Sequence, residues 1–523
     1  MADQEPPLER LARLRRLAYS RQGTADDRRR LAELEAELTP ASDPEPEIAT
    51  PPVVERVEPR EVAISREVTE TVPLRPRRAS DDLSHFATVM VRERDVDRDT
   101  PPPVDPVIRR KRRRRRAIIG GIAGVVVAAL IAGYITFALT APIGTATIDA
   151  TAPTVTPPAA ALIAMSPEGE SAISVSGADD YLGASASGIW MSGGGDDPLP
   201  MASVSKLITA LVVLSAKPIG AGENGPTITF DKADHALYDK YYVLDATIAA
   251  MPTGSSMSEH DALEMMLVIS ASNYAEAVST WAFGSQSSFL RATKTWLAAN
   301  GLSHTTMVEP TGIDARNTST PSDLIALAKI ALANPVIAEI VKMQTLEVPN
   351  IPAQLNTNDL LGVDGISGIK TGTLDPSGSN LLFSATMDVG TGTPLNVIGV
   401  VLGGYTHESV DLDVKALLAS ITAGFHDVTL GASGDKIGTY STPWGESAKI
   451  VLGKSSTVLT WSDTPITTTF TVTPLTTGAR GDTVGEITWV AGPTTVTAPL
   501  ILDADIEPPT AWWRLTHPFD LGG

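Results

Sequence analysis

A serine and a lysine three residues apart, Ser203 and Lys206, stand at the start of a largely apolar run that ends at Leu214. On a helix, side chains at positions i and i+3 are neighbours on one face, about 5–6 Å apart at their β-carbons. The lysine amine can therefore reach the serine hydroxyl. The apolar run predicts that this helix is buried, and burial disfavours the charged ammonium. A serine beside a neutral amine is a nucleophile with its own general base.

Two further groups of polar residues follow along the chain. The first lies between two helical patterns and contains Ser270, Ser272 and Asn273. The second lies on a predicted strand and consists of Lys370, Thr371, Gly372 and Thr373. In this order, Ser-x-x-Lys, a Ser/Asn loop and Lys-Thr-Gly form the three-part signature of serine penicillin-recognising enzymes.

Residues 161–425 resemble the D-alanyl-D-alanine carboxypeptidases of the low-molecular-weight penicillin-binding protein type, peptidase family S11. Three stretches carry the resemblance: 201–206 (Met-Ala-Ser-Val-Ser-Lys), 309–312 (Glu-Pro-Thr-Gly) and 368–373 (Gly-Ile-Lys-Thr-Gly-Thr). The β-rich residues 427–523 are similar in position and composition to the C-terminal β domain of that family. The first 140 residues lie outside the resemblance.

Hydrolysis of an amide needs a nucleophile, a base, an oxyanion site and a contact that holds the substrate. Ser203 is the expected nucleophile, Lys206 its base, and Ser270 the group that carries a proton to the departing amine. Lys206 must be neutral, so its pKa must fall well below the usual value of about 10.4. Burial and the positive charge of Lys370 are both expected to lower that pKa.

The remaining site residues are expected to bind the substrate. By the resemblance, the backbone N–H groups of Ser203 and Thr373 hold the oxyanion. Side chains from the Lys-Thr-Gly-Thr strand hold the free carboxylate at the end of a peptide. The substrate-binding set comprises Ser272, Asn273, Lys370, Thr371, Gly372 and Thr373.

The middle motif departs from the family pattern, which is Ser-x-Asn. Counting from Ser270 places Ser272 where the amide belongs, and Asn273 comes one position late. Either Asn273 supplies the amide through a local shift of the backbone, or Ser272 replaces it with a shorter hydrogen-bonding group. The turn 309–312 is interpreted as a turn alone.

The order of elements predicts an α+β fold. Short strands are expected at 172–176 and 187–191, then a helical middle, a three-stranded meander and a closing helix over 407–425. The resemblance implies a penicillin-binding-protein/β-lactamase-like catalytic domain, with an antiparallel sheet flanked by helices. A small all-β domain follows it.

The chain divides into segments of different composition. We expect a mostly disordered tail over 1–116, a single N-terminal transmembrane helix over 117–139, an Ala/Thr/Pro linker over 140–160, a D,D-peptidase domain over 161–426 and a β-rich domain over 427–523. The 23 uncharged residues of the span follow eight consecutive cations. They are long enough to cross a hydrocarbon core of roughly 30 Å.

The cations predict a single-pass membrane protein with its N-terminus in the cytoplasm and its catalytic domain outside the cell. A cleaved signal peptide is disfavoured because its charged region would exceed a hundred residues. Two weak helical patterns in the tail leave a cytoplasmic protein partner possible.

Composition excludes several classes of function. Residues 1–116 carry 25 Lys/Arg and 23 Asp/Glu, whereas the rest of the chain carries 16 and 38. This acidity argues against nucleic acid as a partner. The absence of cysteine excludes disulfides and thiolate metal sites. The histidines of the catalytic domain (His235, His260, His304 and His407) show no metal-binding or catalytic spacing, so no metal and no cofactor is expected.

The sequence thus predicts a membrane-anchored serine D-alanyl-D-alanine carboxypeptidase. It would remove the terminal D-alanine from peptidoglycan stem peptides through an acyl-enzyme, and β-lactam antibiotics such as penicillins would acylate it. A class A-like β-lactamase shares the three motifs, but no Glu-x-x-Leu-Asn stands between the second and third. A non-hydrolytic peptidoglycan-binding or scaffolding homologue, with the tail as its working part, is the other alternative.

Overall fold

The structure is a computed structural model that describes residue 30 and residues 106–522, except 350 and 376. The predicted disorder and helical patterns of the tail lie outside the described residues. Two compact units are present. One contains Pro142–Trp513, and the other contains the apolar helix together with Arg514–Pro518.

The apolar unit is built on helix α1 (Pro106–Thr140). Its segment Arg110–Thr140 is the one helix, among the residues that the structure describes, that is long and apolar enough to cross a membrane. The predicted span 117–139 lies within it. Arg514 donates hydrogen bonds to the carbonyl oxygens of Leu139 (3.3 Å) and Ala141 (2.9 Å). These bonds satisfy carbonyls that the end of a helix leaves without partners.

The other unit begins with a strand and continues through alternating short strands and helices. From residue 147 to residue 299 these are β1 (Thr147–Ala150), β2 (Glu170–Ser176), α2 (Asp179–Leu182), β3 (Met191–Gly193), β4 (Leu199–Pro200), α3 (Ser205–Ala216), β5 (Thr227–Thr229), α4 (Lys232–Tyr242), β6 (Ser256–Ser258), α5 (Glu259–Leu267), α6 (Ser272–Phe283) and α7 (Gln286–Ala299). From there to residue 423 they are β7 (Thr318–Ser319), α8 (Pro321–Ala333), α9 (Pro335–Ile340), β8 (Thr345–Leu346), β9 (Gln354–Leu355), β10 (Ile366–Leu374), β11 (Gly378–Met387), β12 (Leu395–Gly404) and α10 (His407–Ala423).

A five-stranded antiparallel sheet forms the centre of this part, in the order β10-β11-β12-β2-β3. The predicted three-stranded meander is confirmed as β10, β11 and β12. The predicted strand over 187–191 is wrong. A 3₁₀ turn, Ala184–Ser187, occupies its start because the N–H of Gly188 bonds back to Ser185, and β3 begins only at Met191.

Helices cover both faces of the sheet, which confirms the α+β prediction. On β11, Leu382 packs into the core formed with α3, α5 and α6, whereas its neighbours Leu381 and Phe383 pack against α10. On β12, Val400 packs into the first of these cores and Val401 packs against α10. Successive strand residues point to opposite faces, so an apolar run is what a strand buried on both sides requires.

Local sequence signals determine where the helices near the site begin and end. Helix α5 begins at a capping box, in which the Ser258 side chain accepts from the N–H of Asp261 and Asp261 accepts in return. Helix α3 ends before Pro218, a residue that cannot continue a helix. Helix α8 begins at Pro321, because Thr320 caps it and proline suits the first helical position.

The C-terminal part is all β except for a short helix. Its elements are β13 (Phe425–Gly431), β14 (Lys436–Ser441), β15 (Ser447–Leu452), β16 (Ser456–Trp461), β17 (Ile466–Val472), β18 (Thr483–Ala491), β19 (Thr494–Leu502) and α11 (Ala511–Thr516). Strands β13 and β16 pair with each other, and the larger sheet has the order β1-β14-β15-β19-β18-β17. Trp489 is buried in the core between them.

The predicted linker is not wholly a tether. Strand β1 pairs with β14 from Thr147 to Ala150, and Ala146 is buried in the core of the β-rich part. The register brings Ala150 so close to Gly438 that a β-carbon at Gly438 would lie 2.5 Å from that of Ala150. β-branched residues among the linker's alanines and prolines favour such an edge strand.

Candidate active site

Ser203 and Lys206 meet at the start of α3. Ser203 lies in a 3₁₀ turn, Ala202–Val204, immediately before the helix. Lys206 is buried, and its Nζ lies 2.8 Å from Ser203 Oγ. The predicted i, i+3 pair is therefore within hydrogen-bonding distance, on a helix whose apolar residues exclude water from the amine.

Burial is the main influence on the lysine. It lowers the pKa of Lys206 to about 7, and the carboxylate of Glu309 opposes this by favouring the ammonium. The pKa of Lys370 is also lowered, by burial and by repulsion from Lys206. The two lysines therefore repel each other, and this repulsion adds to burial in lowering the pKa of Lys370.

The stretch 309–312 is more than a turn. Lys206 Nζ donates a second hydrogen bond, 2.8 Å long, to the carbonyl of Thr311. The Glu309 carboxylate accepts from the backbone N–H groups of Thr311 (2.7 Å) and Gly312 (2.6 Å). It also accepts from the Asn317 side chain. Glu309 therefore fixes the loop whose carbonyl orients the base, a role that the sequence interpretation missed.

Glycines allow the site's segments to approach one another. A β-carbon on Gly312, which has φ +87°, would lie 1.8 Å from the carbonyl oxygen of Ala202. A β-carbon on Gly372 would lie 3.1 Å from the backbone nitrogen of Ser203. The Lys-Thr-Gly strand therefore lies directly against the backbone of the proposed nucleophile, next to one of the two expected oxyanion donors.

The serines of the middle motif line the cleft, whereas its asparagine is buried in the core. Ser270 has a left-handed backbone (φ +65°) and lines the same cleft as Ser203 and Ser272. Asn273 does not line the cleft. Its fully buried amide donates to the carbonyl of Ala249 (2.8 Å) and accepts from the N–H of that residue (3.1 Å). Of the two alternatives, Ser272 is the one that lines the cleft, and a role of either side chain in substrate binding stays a prediction.

The Lys-Thr-Gly-Thr strand presents its threonines to the cleft. Thr371 and Thr373 line it, as does Thr357, whose hydroxyl lies 2.7 Å from that of Thr371. Lys370 is buried and is not among the lining residues. Its Nζ donates to the carbonyl of Thr371 over 3.2 Å. It also lies 3.5 Å from the hydroxyl of Thr357, which lines the cleft, and its contact with a substrate carboxylate stays a prediction.

The cleft has a volume of about 420 Å³. Its lining includes the segment from Leu244 to Thr247 and the strand residues Thr371, Gly372 and Thr373. His407, the first residue of α10, also lines the cleft, and its Nε2 is hydrogen-bonded to Thr373 Oγ1. His407 lies 34 positions beyond Thr373, and no motif in the sequence links the two residues.

A histidine and two carboxylates also approach one another on α5, away from the cleft residues. The ligand atoms of His260, Asp261 and Glu264 lie within 4.8 Å of one another. Each group already has a partner: His260 Nδ1 lies 3.0 Å from Glu264, and Asp261 completes the capping box. We assign no metal to them.

Comparison with protein families identifies the part of the chain that contains this site. Residues 183–406 match the model of the family Peptidase S11, described as D-alanyl-D-alanine carboxypeptidase. We call these residues the S11 domain, after the family whose model they match. The match confirms the resemblance predicted from the three motifs, and the S11 domain includes Ser203, Lys206, Ser270 and the Lys-Thr-Gly-Thr strand.

The S11 domain has curated relatives. Over 217 residues the chain is 27% identical to a D-alanyl-D-alanine endopeptidase of Pseudomonas aeruginosa, covering 40% of this chain and 66% of the relative. Over 256 residues it is 26% identical to the D-alanyl-D-alanine carboxypeptidase DacA of Escherichia coli, covering 48% and 62%. The chain therefore spans slightly less than two thirds of the length of these relatives.

Solved structures are similar as well. Penicillin binding protein 5 from Haemophilus influenzae is 21% identical and covers 67% of this chain and 99% of its own, with a TM-score of 0.44.

Proposed function

We propose that the chain is a membrane-anchored serine D-alanyl-D-alanine carboxypeptidase that removes the terminal D-alanine of peptidoglycan stem peptides. One observation carries the proposal: a buried lysine amine, with its pKa lowered to about 7, lies 2.8 Å from the hydroxyl of Ser203. A nearly neutral amine can accept the serine proton at physiological pH. The family match and the names of the relatives indicate the substrate class.

Acylation begins when Ser203 Oγ bonds to the carbonyl carbon of the penultimate D-alanine and Lys206 takes the hydroxyl proton. The oxyanion accepts hydrogen bonds from the backbone N–H groups of Ser203 and Thr373, as the family resemblance implies. Ser270 then passes the proton from Lys206 to the nitrogen of the terminal D-alanine. The C–N bond breaks, D-alanine leaves, and the acyl-enzyme remains.

Deacylation uses the same groups with water as the nucleophile. Lys206 takes a proton from water while the water oxygen bonds to the acyl carbon. The ester bond to Ser203 then breaks, the serine regains its proton from Lys206, and the shortened peptide leaves as a carboxylic acid. A penicillin would acylate Ser203 in the same way, because its strained amide also opens at a carbonyl carbon. The amine that it releases stays tethered to the acyl group, which favours a long-lived adduct.

We also propose that α1 crosses the cell membrane with the cations of residues 109–116 on the cytoplasmic side. The chain contains no cysteine, so single engineered cysteines report topology without a background. A membrane-impermeant maleimide applied to intact cells should label Ser433→Cys, an exposed position in the β-rich part, and should not label Ser80→Cys in the tail. Labelling of the tail alone would reverse the orientation, and equal labelling would exclude anchoring by this helix.

Release of D-alanine from a pentapeptide by the detergent-solubilised full chain tests the activity. Wild type should release D-alanine and should be labelled by a fluorescent penicillin, and Ser203→Ala should do neither. The matched control is Ser215→Ala, which removes an exposed serine from the same helix and should leave both signals unchanged.

The alternatives predict different combinations of these signals. Labelling without D-alanine release would favour a binding homologue, a reading consistent with the short Ser272 side chain at the amide position. Rapid hydrolysis of the penicillin itself would favour a β-lactamase. Absence of both labelling and release would overturn the catalytic proposal.

A further inference from the structure

His407 is the one imidazole among the described residues that line the cleft, and the reaction scheme leaves it unused. It is half-buried at the first position of α10. Its Nε2 is hydrogen-bonded to the hydroxyl of Thr373. The bond connects the start of a 17-residue helix to the strand that borders the cleft.

The direction of this hydrogen bond determines what Thr373 can offer to a substrate. A threonine hydroxyl has one proton, and a carboxylate only accepts hydrogen bonds. If Thr373 gives its proton to His407, its hydroxyl presents only lone pairs to the cleft. If His407 Nε2 carries the proton and donates it to Thr373, the Thr373 proton is free to reach a carboxylate.

We propose that His407 is a positioning residue that directs the Thr373 hydroxyl toward the terminal carboxylate of the substrate, and so makes the site prefer peptides with a free C-terminus. This inference rests on the proposed function of the same cleft. It adds a residue from outside the three sequence motifs.

The charges around His407 favour a neutral ring before substrate binds. Burial and the charge of Lys370 lower the pKa of His407, while Asp359 opposes them. The N-terminus of α10 also disfavours an imidazolium. Glu408 and Asp411 on the same helix, and Asp375 on the cleft wall, are the other charged groups of this region. A neutral ring has one N–H, so a bound carboxylate selects the tautomer with the proton on Nε2.

Binding to an inactive protein tests this inference separately from turnover. In the Ser203→Ala background, isothermal titration of the detergent-solubilised full chain with a diacyl-L-Lys-D-Ala-D-Ala peptide is compared with titration of the same peptide as its C-terminal amide. The acid should bind more tightly. Addition of His407→Leu should weaken binding of the acid by about tenfold, the scale of one hydrogen bond to a charged group. Binding of the amide should change much less.

Two further variants separate positioning from a structural role. His407→Gln, which can present an N–H at a similar place, should restore most of the preference for the acid. Thr373→Val combined with His407→Leu should be no worse than Thr373→Val alone, because His407 acts through Thr373. The inference would be overturned by equal losses of affinity for the acid and the amide, or by additive losses of affinity in the double variant. Absence of binding of the acid to Ser203→Ala would also overturn it. Failure of the proposed function would appear instead as a wild type that releases no D-alanine and forms no penicillin adduct.

Discussion

The carbonyl oxygen of Thr311 lies 2.8 Å from Lys206 Nζ, and it accepts a hydrogen bond from the same amine that contacts Ser203. The loop that carries this carbonyl is held by the carboxylate of Glu309. The position and basicity of the proposed base therefore depend on a residue about a hundred positions further along the chain.

The rate of penicillin acylation should rise with pH and reach half of its maximum near pH 7, because only the neutral form of Lys206 accepts the serine proton. Glu309 raises the pKa of Lys206. Glu309→Gln should therefore move the acid limb of the pH profile to lower pH, while the weaker loop reduces the maximal rate. Acylation rates measured across the pH range test both effects.

The control for this profile is Asp314→Asn, which removes a carboxylate of the same loop that pairs with Arg316. It should leave the midpoint of the profile in place. A midpoint that moves to higher pH in Glu309→Gln, or does not move, would contradict the assignment of Lys206 as the base.

Gly312→Ala should destabilise the protein and abolish acylation. The new β-carbon would lie 1.8 Å from the carbonyl oxygen of Ala202, so the turn that carries Ser203 must move. Gly222→Ala is the matched control, because Gly222 also has a positive φ (+70°) but open space around it. Gly222→Ala should lower the free energy of unfolding by about 1 kcal/mol, through backbone strain alone. Urea denaturation should show a larger cost for Gly312→Ala, and equal costs would contradict the close approach.

Ser272→Asn should preserve or raise turnover, because it restores the amide of the Ser-x-Asn pattern at the position that lines the cleft. The measurement is kcat and KM for D-alanine release from a pentapeptide. A collapse of the rate with an unchanged fold would mean that the serine is required and that the cleft is adapted to the smaller side chain.

Asn273→Ala should lower the free energy of unfolding by about 2–3 kcal/mol, since both hydrogen bonds to Ala249 would be lost and their buried partners left unpaired. Asn300→Ala, at an exposed helix end, should cost less than about 1 kcal/mol. Denaturant titration followed by tryptophan fluorescence compares the two. Equal stability with loss of substrate binding would instead return Asn273 to the binding set.

Ala146→Asp should destabilise the β-rich part by at least about 2 kcal/mol, because it places an unpaired carboxylate in the core that β1 helps to close. Ala159→Asp introduces the same charge at an exposed position of the same predicted linker and should be nearly neutral. The fluorescence of buried Trp489 reports unfolding of this core. Equal unfolding midpoints for the two variants would mean that the segment is a tether after all.

Much of the fold could be predicted because its signals are local. The apolar run after Ser203, the capping box at Ser258 and the alternating strands of the meander each appear within a few neighbouring residues. Strand β1 could not be predicted in this way, because it is defined by its pairing with β14, some 290 positions away. Its Ala/Thr/Pro composition is equally compatible with a tether.

The site was predictable to the extent that its chemistry lies in short motifs. The contact between Ser203 and Lys206 could be predicted, because it follows from their spacing on a helix. The partner of the Asn273 amide could not, because Ala249 is brought to it by the tertiary fold. His407 and Glu309 were missed as contributors because their partners, Thr373 and Lys206, are brought to them only by the tertiary fold.

The most direct test of the central claim is to find where a penicillin attaches. The purified full chain is incubated with benzylpenicillin, and the intact mass and the proteolytic fragments are measured. The account predicts one penicilloyl group per chain, on the fragment that contains Ser203, and none in Ser203→Ala. An adduct on another residue, or a wild-type chain that stays unmodified, would contradict it.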